Sequence, residues 1–419
     1  MQVVYAFESL PDPCSGSLYL AGPHDASSSD WRLEALRLLE EREFHGAIII
    51  PECRKGSRRP SPFEKAAWNV EMRARADLIL FWVADDMTMT TACEAEAELN
   101  LSHETRRCLY GRSSRKPGFP HLDAYWAGLT GKAPHSDLKA MVEDAIALIG
   151  QGEARTGAER DIPLPVWRSD PFSKWYKALT SAGHRLRGFR VLKLLAFGDR
   201  DPRAPVAGFL ASAAIEVAGE GRIKSNEAFI ARPDNVAVVP LFDPGGPEGE
   251  AFLVREYRLA ARNGAGLALS VPEGSAPGSS LPSRAVAVRE LSEEIGLSVA
   301  PERLIELMSR QSMPTLSSHH TRLFALELTE DEAILLRRAA AEGRVLGADS
   351  EERIGILRQS LAEPMHPSLD WTSIGLIETA KAELLRKRGQ AARTGKLRET
   401  AGYRYPLDSR GVKSSRRYK

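Results

Sequence analysis

The sequence predicts an α/β protein of two domains: an open parallel sheet flanked by helices, followed by an α+β domain built on a mixed sheet. Three observations point there. At 419 residues the chain is too long for one typical domain. Its first part alternates short apolar runs with stretches of helical periodicity, the pattern of a parallel sheet with crossover helices. From Val166 the alternation gives way to longer β-rich stretches that lead into a strongly acidic helix.

In the first part, Leu18 to Ala21 reads as a strand ending at Gly22-Pro23, Trp31 to Leu39 as a helix, and Ala47 to Ile50 as a buried strand stopped by Pro51. A helix is expected from Phe63 to Ala76. The run LILFWV, Leu78 to Val83, is apolar at every position, so both its faces should be covered, as in a central parallel strand. Ligands of such sheets bind outside the carboxyl ends of the strands, which directs attention to the loops after Ala21, Ile50 and Val83. A further strand at Leu109 to Arg112 and a helix from Asp137 to Ile149, capped by Ser136, close this domain at residue 150. The polar segment 151–165, rich in turn residues and ending near two prolines, is expected to be a linker.

The second domain is expected over 166–387. Its aromatics Trp167, Phe172, Trp175 and Tyr176 read as a packed helix rather than a base-stacking platform. Strands are expected at Arg190 to Phe197, Val236 to Phe242 and Ala251 to Arg258, and helices at Glu330 to Glu342 and Thr372 to Arg388. Residues 388–419 carry many Lys and Arg with little apolar content, the composition of a disordered, solvated tail.

The segment AVAVRELSEEIGL, Ala285 to Leu297, carries the chemistry. Wound as a helix at roughly 100° per residue, it sets Ala285, Val288 and Leu291 on one side and Glu290, Glu293 and Glu294 on another. Carboxylates gathered this way repel each other unless a cation sits among them, and oxygen ligands suit a hard ion such as Mg²⁺ or Mn²⁺. Gly296 follows where a left-handed residue often ends a helix.

The string from Arg289 to Leu297 resembles the second half of the Nudix box, the signature of enzymes that hydrolyse a nucleoside diphosphate linked to another group. The resemblance implies that Glu290, Glu293 and Glu294 hold the metal, that Glu293 is also catalytic, and that Arg289 orients the carboxylates. It implies an α+β Nudix fold. The first half of the box departs from the pattern: Ser275 and Leu281 stand where the family has glycine and glutamate, and the lead-in reads Pro272, Glu273, Gly274. The segments Ala251 to Gly264 and Leu267 to Ser275 look most like the ADP-ribose pyrophosphatase branch. Arg255 and Arg258 there suit substrate phosphates through bidentate guanidinium contacts, or equally surface ion pairs. His319 and His320 are adjacent, so at most one of them faces a site if both lie on a strand; a loop pair is the simpler reading.

The N-terminal part, on YLAGP (Tyr19 to Pro23), the Trp31 helix, Trp68 and ADLILFWV (Ala76 to Val83), looks like the nucleoside 2-deoxyribosyltransferase-like family, which cleaves or exchanges N-glycosidic bonds on a flavodoxin-like sheet. The resemblance implies Glu94 as the nucleophile, Asp85 or Asp86 as the acid, and Gly22, Asp86 and Thr91 at the substrate. The alternative reading makes Glu94 one member of a solvated acidic helix with Glu96 and Glu98.

Composition narrows the rest. A net charge of +1 gives no global reason to bind nucleic acid or membrane, and no apolar run is of transmembrane length. Cys14, Cys53, Cys93 and Cys108 lack metal spacing and read as reduced thiols in a cytoplasmic protein. The expectation is a bifunctional nucleotide-metabolising enzyme with a small-molecule substrate, Mg²⁺ or Mn²⁺, and a possible homo-oligomeric state. The rival is a nucleotide sensor whose altered Nudix domain binds without turnover.

Overall fold

A computed structural model describes residues 1–22, 31–58, 60–83, 95, 97–100, 107–113, 120–195, 206–276, 281–343, 345–346 and 353–401, with residues 120, 345–346 and 391–401 as backbone only. It is an α/β protein, and its backbone contacts group into two compact units. The first takes Met1–Asp234 with Gln311–His320; the second takes Asn235–Ser275, Leu281–Arg310 and the chain from Thr321 onward.

The first unit holds a five-stranded parallel sheet of β1 (Gln2–Tyr5), β2 (Ser17–Ala21), β3 (Ala47–Ile50), β4 (Leu78–Val83) and β5 (Cys108–Arg112), in the order β1-β3-β2-β4-β5. β1 was not foreseen; it is a short edge strand with one fully buried residue, Val4, too little pattern to read. Side chains of β2, β3 and β4 alternate between two cores. Leu18, Leu20, Ile48, Leu78 and Leu80 pack on one face with helix α1 (Trp31–Glu41), while Tyr19, Ile49, Ile79 and Phe81 pack on the other with Met72 of α2 (Pro62–Arg75). This two-sided burial is why LILFWV is apolar throughout. Burying each such side chain contributes at most about 1.5–3 kcal/mol.

Helix α2 starts one residue before the expected Phe63, because Ser61 forms a capping box with Glu64. α3 (Pro120–Thr130) and α4 (Leu138–Ile149) follow. The expected cap of α4 is corrected from Ser136 to Asp137, whose carboxylate accepts from the Lys139 and Ala140 N–H groups; a carboxylate at the helix start also meets the favourable end of the dipole.

Residues 151–165, expected to be a linker, include a buried ion pair. Arg155 is 1% exposed and grips Asp77 with both guanidinium arms, Nη1 to Oδ1 at 2.8 Å and Nη2 to Oδ2 at 2.5 Å. Asp77 also accepts from the Ser17 and Leu164 N–H groups, each at 2.7 Å. One carboxylate thus ties β2, the start of β4 and the segment after α4 together.

Beyond two short helices, α5 (Leu164–Trp167) and α6 (Asp170–Ser181), an antiparallel sheet of β6 (Arg185–Leu195), β7 (Gly208–Val217), β8 (Arg222–Lys224) and β9 (Ala228–Ala231) completes the first unit. The aromatics pack as expected. Phe172 is fully buried against Phe189 at 5.6 Å, edge to face, and against Phe209. β6 begins earlier than the expected Arg190, because its pairing with β7 extends back to Arg185.

The second unit is built on a mixed sheet whose main path is β14 (Ile305–Gln311), β15 (His320–Glu327), β10 (Asn235–Phe242), β11 (Glu250–Tyr257), β17 (Ile354–Ser360) and β16 (Val345–Leu346). β10 runs parallel to β15 and antiparallel to β11. β12 (Leu267–Ser270) pairs with β11, and the two-residue β13 (Glu273–Gly274) pairs with β10. Helices α7 (Ser283–Ile295), α8 (Glu330–Ala341) and α9 (Trp371–Ala401) accompany the sheet. α9 runs past Arg388, where a disordered tail was expected to begin, so that its first turns pack through Ile377, Ala380 and Leu384 and its helical hydrogen bonding continues beyond the buried part. Among the described residues no helix is long and apolar enough to cross a membrane.

Candidate functional site

Helix α7 ends as its sequence requires, with Gly296 left-handed at φ 69° and its N–H on the Leu291 carbonyl. Its faces differ from the expected ones. Val286, Ala287, Leu291 and Ile295 form the apolar contact, and Glu290 and Glu294 lie on the buried side with them, each 7% exposed. Ala285 and Val288 are only half-buried. Glu293 points away, its side chain 61% exposed. The three carboxylates therefore do not share one face. Residues four apart stack along a helix, so Glu290 and Glu294 pair up while Glu293 stands on the neighbouring row.

Two buried carboxylates one turn apart are costly, and the surroundings show how they are held. Arg289, between them and the exterior, donates from Nη2 to Glu290 Oε1 at 2.6 Å and to the Ser275 carbonyl at 3.3 Å, while its Nε lies 3.6 Å from Glu293 Oε2. Arg289 thus hydrogen-bonds Glu290 and approaches Glu293 only as a loose ion pair. Glu294 Oε2 accepts from the Glu273 N–H at 3.0 Å. Burial nevertheless pushes the Glu294 carboxyl up to about 9, with the charges of Glu290 and Glu273 adding to the rise. At neutral pH the site holds a proton in the absence of a cation.

The strand end β13 closes on this pair. A Cβ on Gly274 would stand 2.2 Å from Glu290 Cδ, so only glycine lets the backbone approach the carboxylate this closely. The surviving glycine of the Pro-Glu-Gly lead-in thus has a steric reason. Ser275 contributes its carbonyl to Arg289, and Leu281, 51% exposed, brings no carboxylate.

Two residues were missed by the sequence reading. Glu273 contributes its N–H to Glu294 and its charge to the cluster, and Asn235 holds it, donating from Nδ2 to Glu273 Oε2 at 3.1 Å while accepting from the Thr321 hydroxyl at 2.7 Å. Glu273 could have been noticed as a carboxylate standing in the glycine lead-in. Nothing local to Asn235 marks it, because its role depends on the β10–β15 register.

Arg255 and Arg258 lie at the end of β11. Arg255 is exposed, in contact with Gly355 of β17, and has no ion-pair or hydrogen-bond partner among the described residues. Arg258 pairs with Glu256 at 2.7 Å, yet its charge still reaches Glu294. One guanidinium is thus available to an anion, and the other is partly neutralised.

The donor set fits Mg²⁺ in part. Hard carboxylate oxygens in a glycine-lined cradle suit the ion, and Mg²⁺ is often held by only one or two carboxylates with substrate phosphates and water. Among the described residues, however, no three His, Cys, Asp or Glu side chains stand together as a metal-binding group. The fit therefore rests on Glu290 and Glu294, with Glu293 outside their row.

In the first unit β2 pairs with both β3 and β4, so consecutive connections leave β2 in opposite directions and the sheet has its switch point at the carboxyl ends of β2 and β4. Gly22 sits there with φ 110°; a Cβ would meet the Trp82 carbonyl oxygen at 2.2 Å. Arg32 supports this corner, donating to the carbonyls of Leu20 and Gly22. Asp85, Asp86, Thr91, Cys93 and Glu94 lie outside the described residues. His319 is half-buried with its Nδ1 2.7 Å from Ser317 Oγ, and His320 opens β15, exposed, so the two do not converge. Cys14, Cys53 and Cys108 are free thiols, and burial raises the thiol pKa of Cys14 and Cys108.

No family model matches the chain, and no curated protein matches it. A solved structure described as an ADP compounds hydrolase is similar over 49% of this chain and 96% of that one, at 18% identity and a TM-score of 0.33. A superposition that loose has no bearing on chemistry.

Proposed function

We propose that the second unit, which carries α7 and begins at Asn235 rather than at the expected residue 166, is a divalent-metal-dependent hydrolase of a nucleoside diphosphate linked to another group, of the ADP-ribose kind. One observation carries the reading: Glu290 and Glu294 are buried side by side under Gly274, and among the described residues one guanidinium, Arg289, hydrogen-bonds only Glu290 of the two. Glu290 and Glu294 would hold the ion. When bound, Mg²⁺ supplies charge stabilisation to phosphoryl oxygens and lowers the pKa of a bound water. Arg289 holds the Glu290 carboxylate, and Glu293, on the neighbouring row of the helix, would accept a proton from an attacking water. Arg255 meets a substrate phosphate, since a guanidinium binds two such oxygens at once. The test is product analysis with ADP-ribose and other nucleoside diphosphate sugars, each with Mg²⁺ and with chelator. Mg²⁺-dependent release of a nucleoside monophosphate, reduced at least about a hundredfold in Glu290→Gln and Glu293→Gln, is expected. Full activity in either variant removes that carboxylate from the mechanism.

A second reading is favoured by the scattered third carboxylate and the exposed Leu281: a sensor that binds a nucleotide without cleaving it. It predicts nucleotide-dependent thermal stabilisation with no product. For the first unit, the switch point at Gly22 supports the proposal that a nucleoside binds there, with Glu94 attacking the anomeric carbon and Asp86 and Thr91 contacting substrate. Metal-independent release of free base, lost in Glu94→Ala, is the outcome that assigns it. If all turnover survives Glu94→Ala, this half only binds.

A further inference from the structure

The outward face of α2 is apolar where a surface helix is normally polar. Phe63, Ala66, Ala67, Val70 and Ala74 recur at helical spacing along one stripe. Phe63 is 82% and Val70 50% exposed, while the opposite side of the helix buries Met72 and Arg73. This stripe forms one wall of a cavity of about 570 Å³, and Phe189 and Val191 of β6 contribute to the other. That volume falls within the range that takes small organic ligands, and apolar walls with a few convergent polar groups are what such sites are made of.

The polar groups indicate the ligand's chemistry. Arg75 gives Nη1 to Glu71 at 3.2 Å and Nη2 to Asp161 at 2.5 Å, while its Nε, shielded from water, has no acceptor. Arg190, also lining the cavity, is exposed and has no partner among the described residues. Glu71 and Asp161 are thus both held by Arg75, and the guanidinium of Arg190 is the unpaired charge of the lining among the described residues. The two carboxylates and two guanidinium groups of the lining balance to zero, which suits a single negative charge better than a phosphate dianion. From Phe63 to Ala74 the stripe runs about 16 Å, room for a chain of about ten carbons.

We propose that the cavity between α2 and β6 is a binding site for an amphipathic monocarboxylate, its apolar chain along the alanine stripe and its carboxylate on Arg190. Nothing in this depends on the hydrolytic reading of the other unit.

Calorimetric titration of the full chain with decanoate, kept below its micellar concentration, tests it. Saturable one-to-one binding is expected, about tenfold weaker in Arg190→Ala, since a charge-assisted contact is lost. Ala67→Trp, at an exposed helix position where the fold tolerates the change, should fill the cavity and abolish binding; circular dichroism verifies that the variant is folded. Decanol, with the same chain and no charge, should bind at least tenfold more weakly than decanoate. No saturable binding, binding that survives Ala67→Trp, or decanol binding as tightly as decanoate would overturn the proposal.

Discussion

Two regions bury carboxylates, and they do so for opposite reasons. Asp77, in the first unit, is surrounded by donors: both arms of Arg155, the hydroxyl and N–H of Ser17, and the N–H of Leu164. Every lone pair is used and the charge is matched. Glu290 and Glu294, in the second unit, face each other with Glu273 nearby, and the cation beside them, Arg289, engages only Glu290 of the pair. The first arrangement fastens three chain segments. The second has, among the described residues, one hydrogen-bonded guanidinium for two buried carboxylates, the imbalance on which the metal-site proposal rests. Burial alone does not distinguish the two arrangements; the balance of partners does.

The largest effect should come from breaking the fastener. Asp77→Ala leaves Arg155 buried and uncompensated, and should cost about 3–5 kcal/mol in urea unfolding, with Asp77→Asn recovering part of it. Gly274→Ala tests the cradle: its methyl must displace the Glu290 carboxylate, at a cost of about 1–3 kcal/mol, and Mg²⁺-induced stabilisation should disappear with it. If Mg²⁺ still stabilises this variant as it does the parent, the cradle is not the metal site.

The third test turns on pH. The Glu294 carboxyl has an ordinary value of 4.5 and stands at about 9 in the folded chain. Between those values the unfolded chain gives up the proton that the folded one keeps, so stability in chelator should fall as pH rises from 4.5 towards 9. Glu294→Gln should flatten that slope. Added Mg²⁺ should raise the thermal midpoint more at pH 8.5 than at pH 6, because binding requires the carboxylate. An equal Mg²⁺ effect at both pH values would separate Glu294 from the ion. The smallest effect is a control with the opposite sign. Hydrogen bonding from Arg303, in first place, and from the Thr329 cap holds Glu332 at about 2. Its contribution is present above 4.5 and lost as pH falls towards 2, so Glu332→Gln should cost under about 1 kcal/mol at neutral pH and nothing at the acid end.

The sequence by itself determined the parallel sheet and the acidic helix. LILFWV could only be a strand covered on both faces, and Arg289 to Gly296 carried its helix, its carboxylates and its stop in one string; these signals are local, because periodicity and capping act within a few residues. Only the tertiary structure decided which carboxylates meet. Glu293 differs from Glu290 and Glu294 by its angle around the helix, and that angle gains meaning only once Val286, Leu291 and Ile295 choose the buried side. The same holds for Arg155, whose segment reads as polar linker until Asp77, far away in sequence, neutralises it. Asn235 and Glu273 join the cluster through strand register alone. Charge pairing and register are long-range, so a chain read in order shows the groups but not their partners.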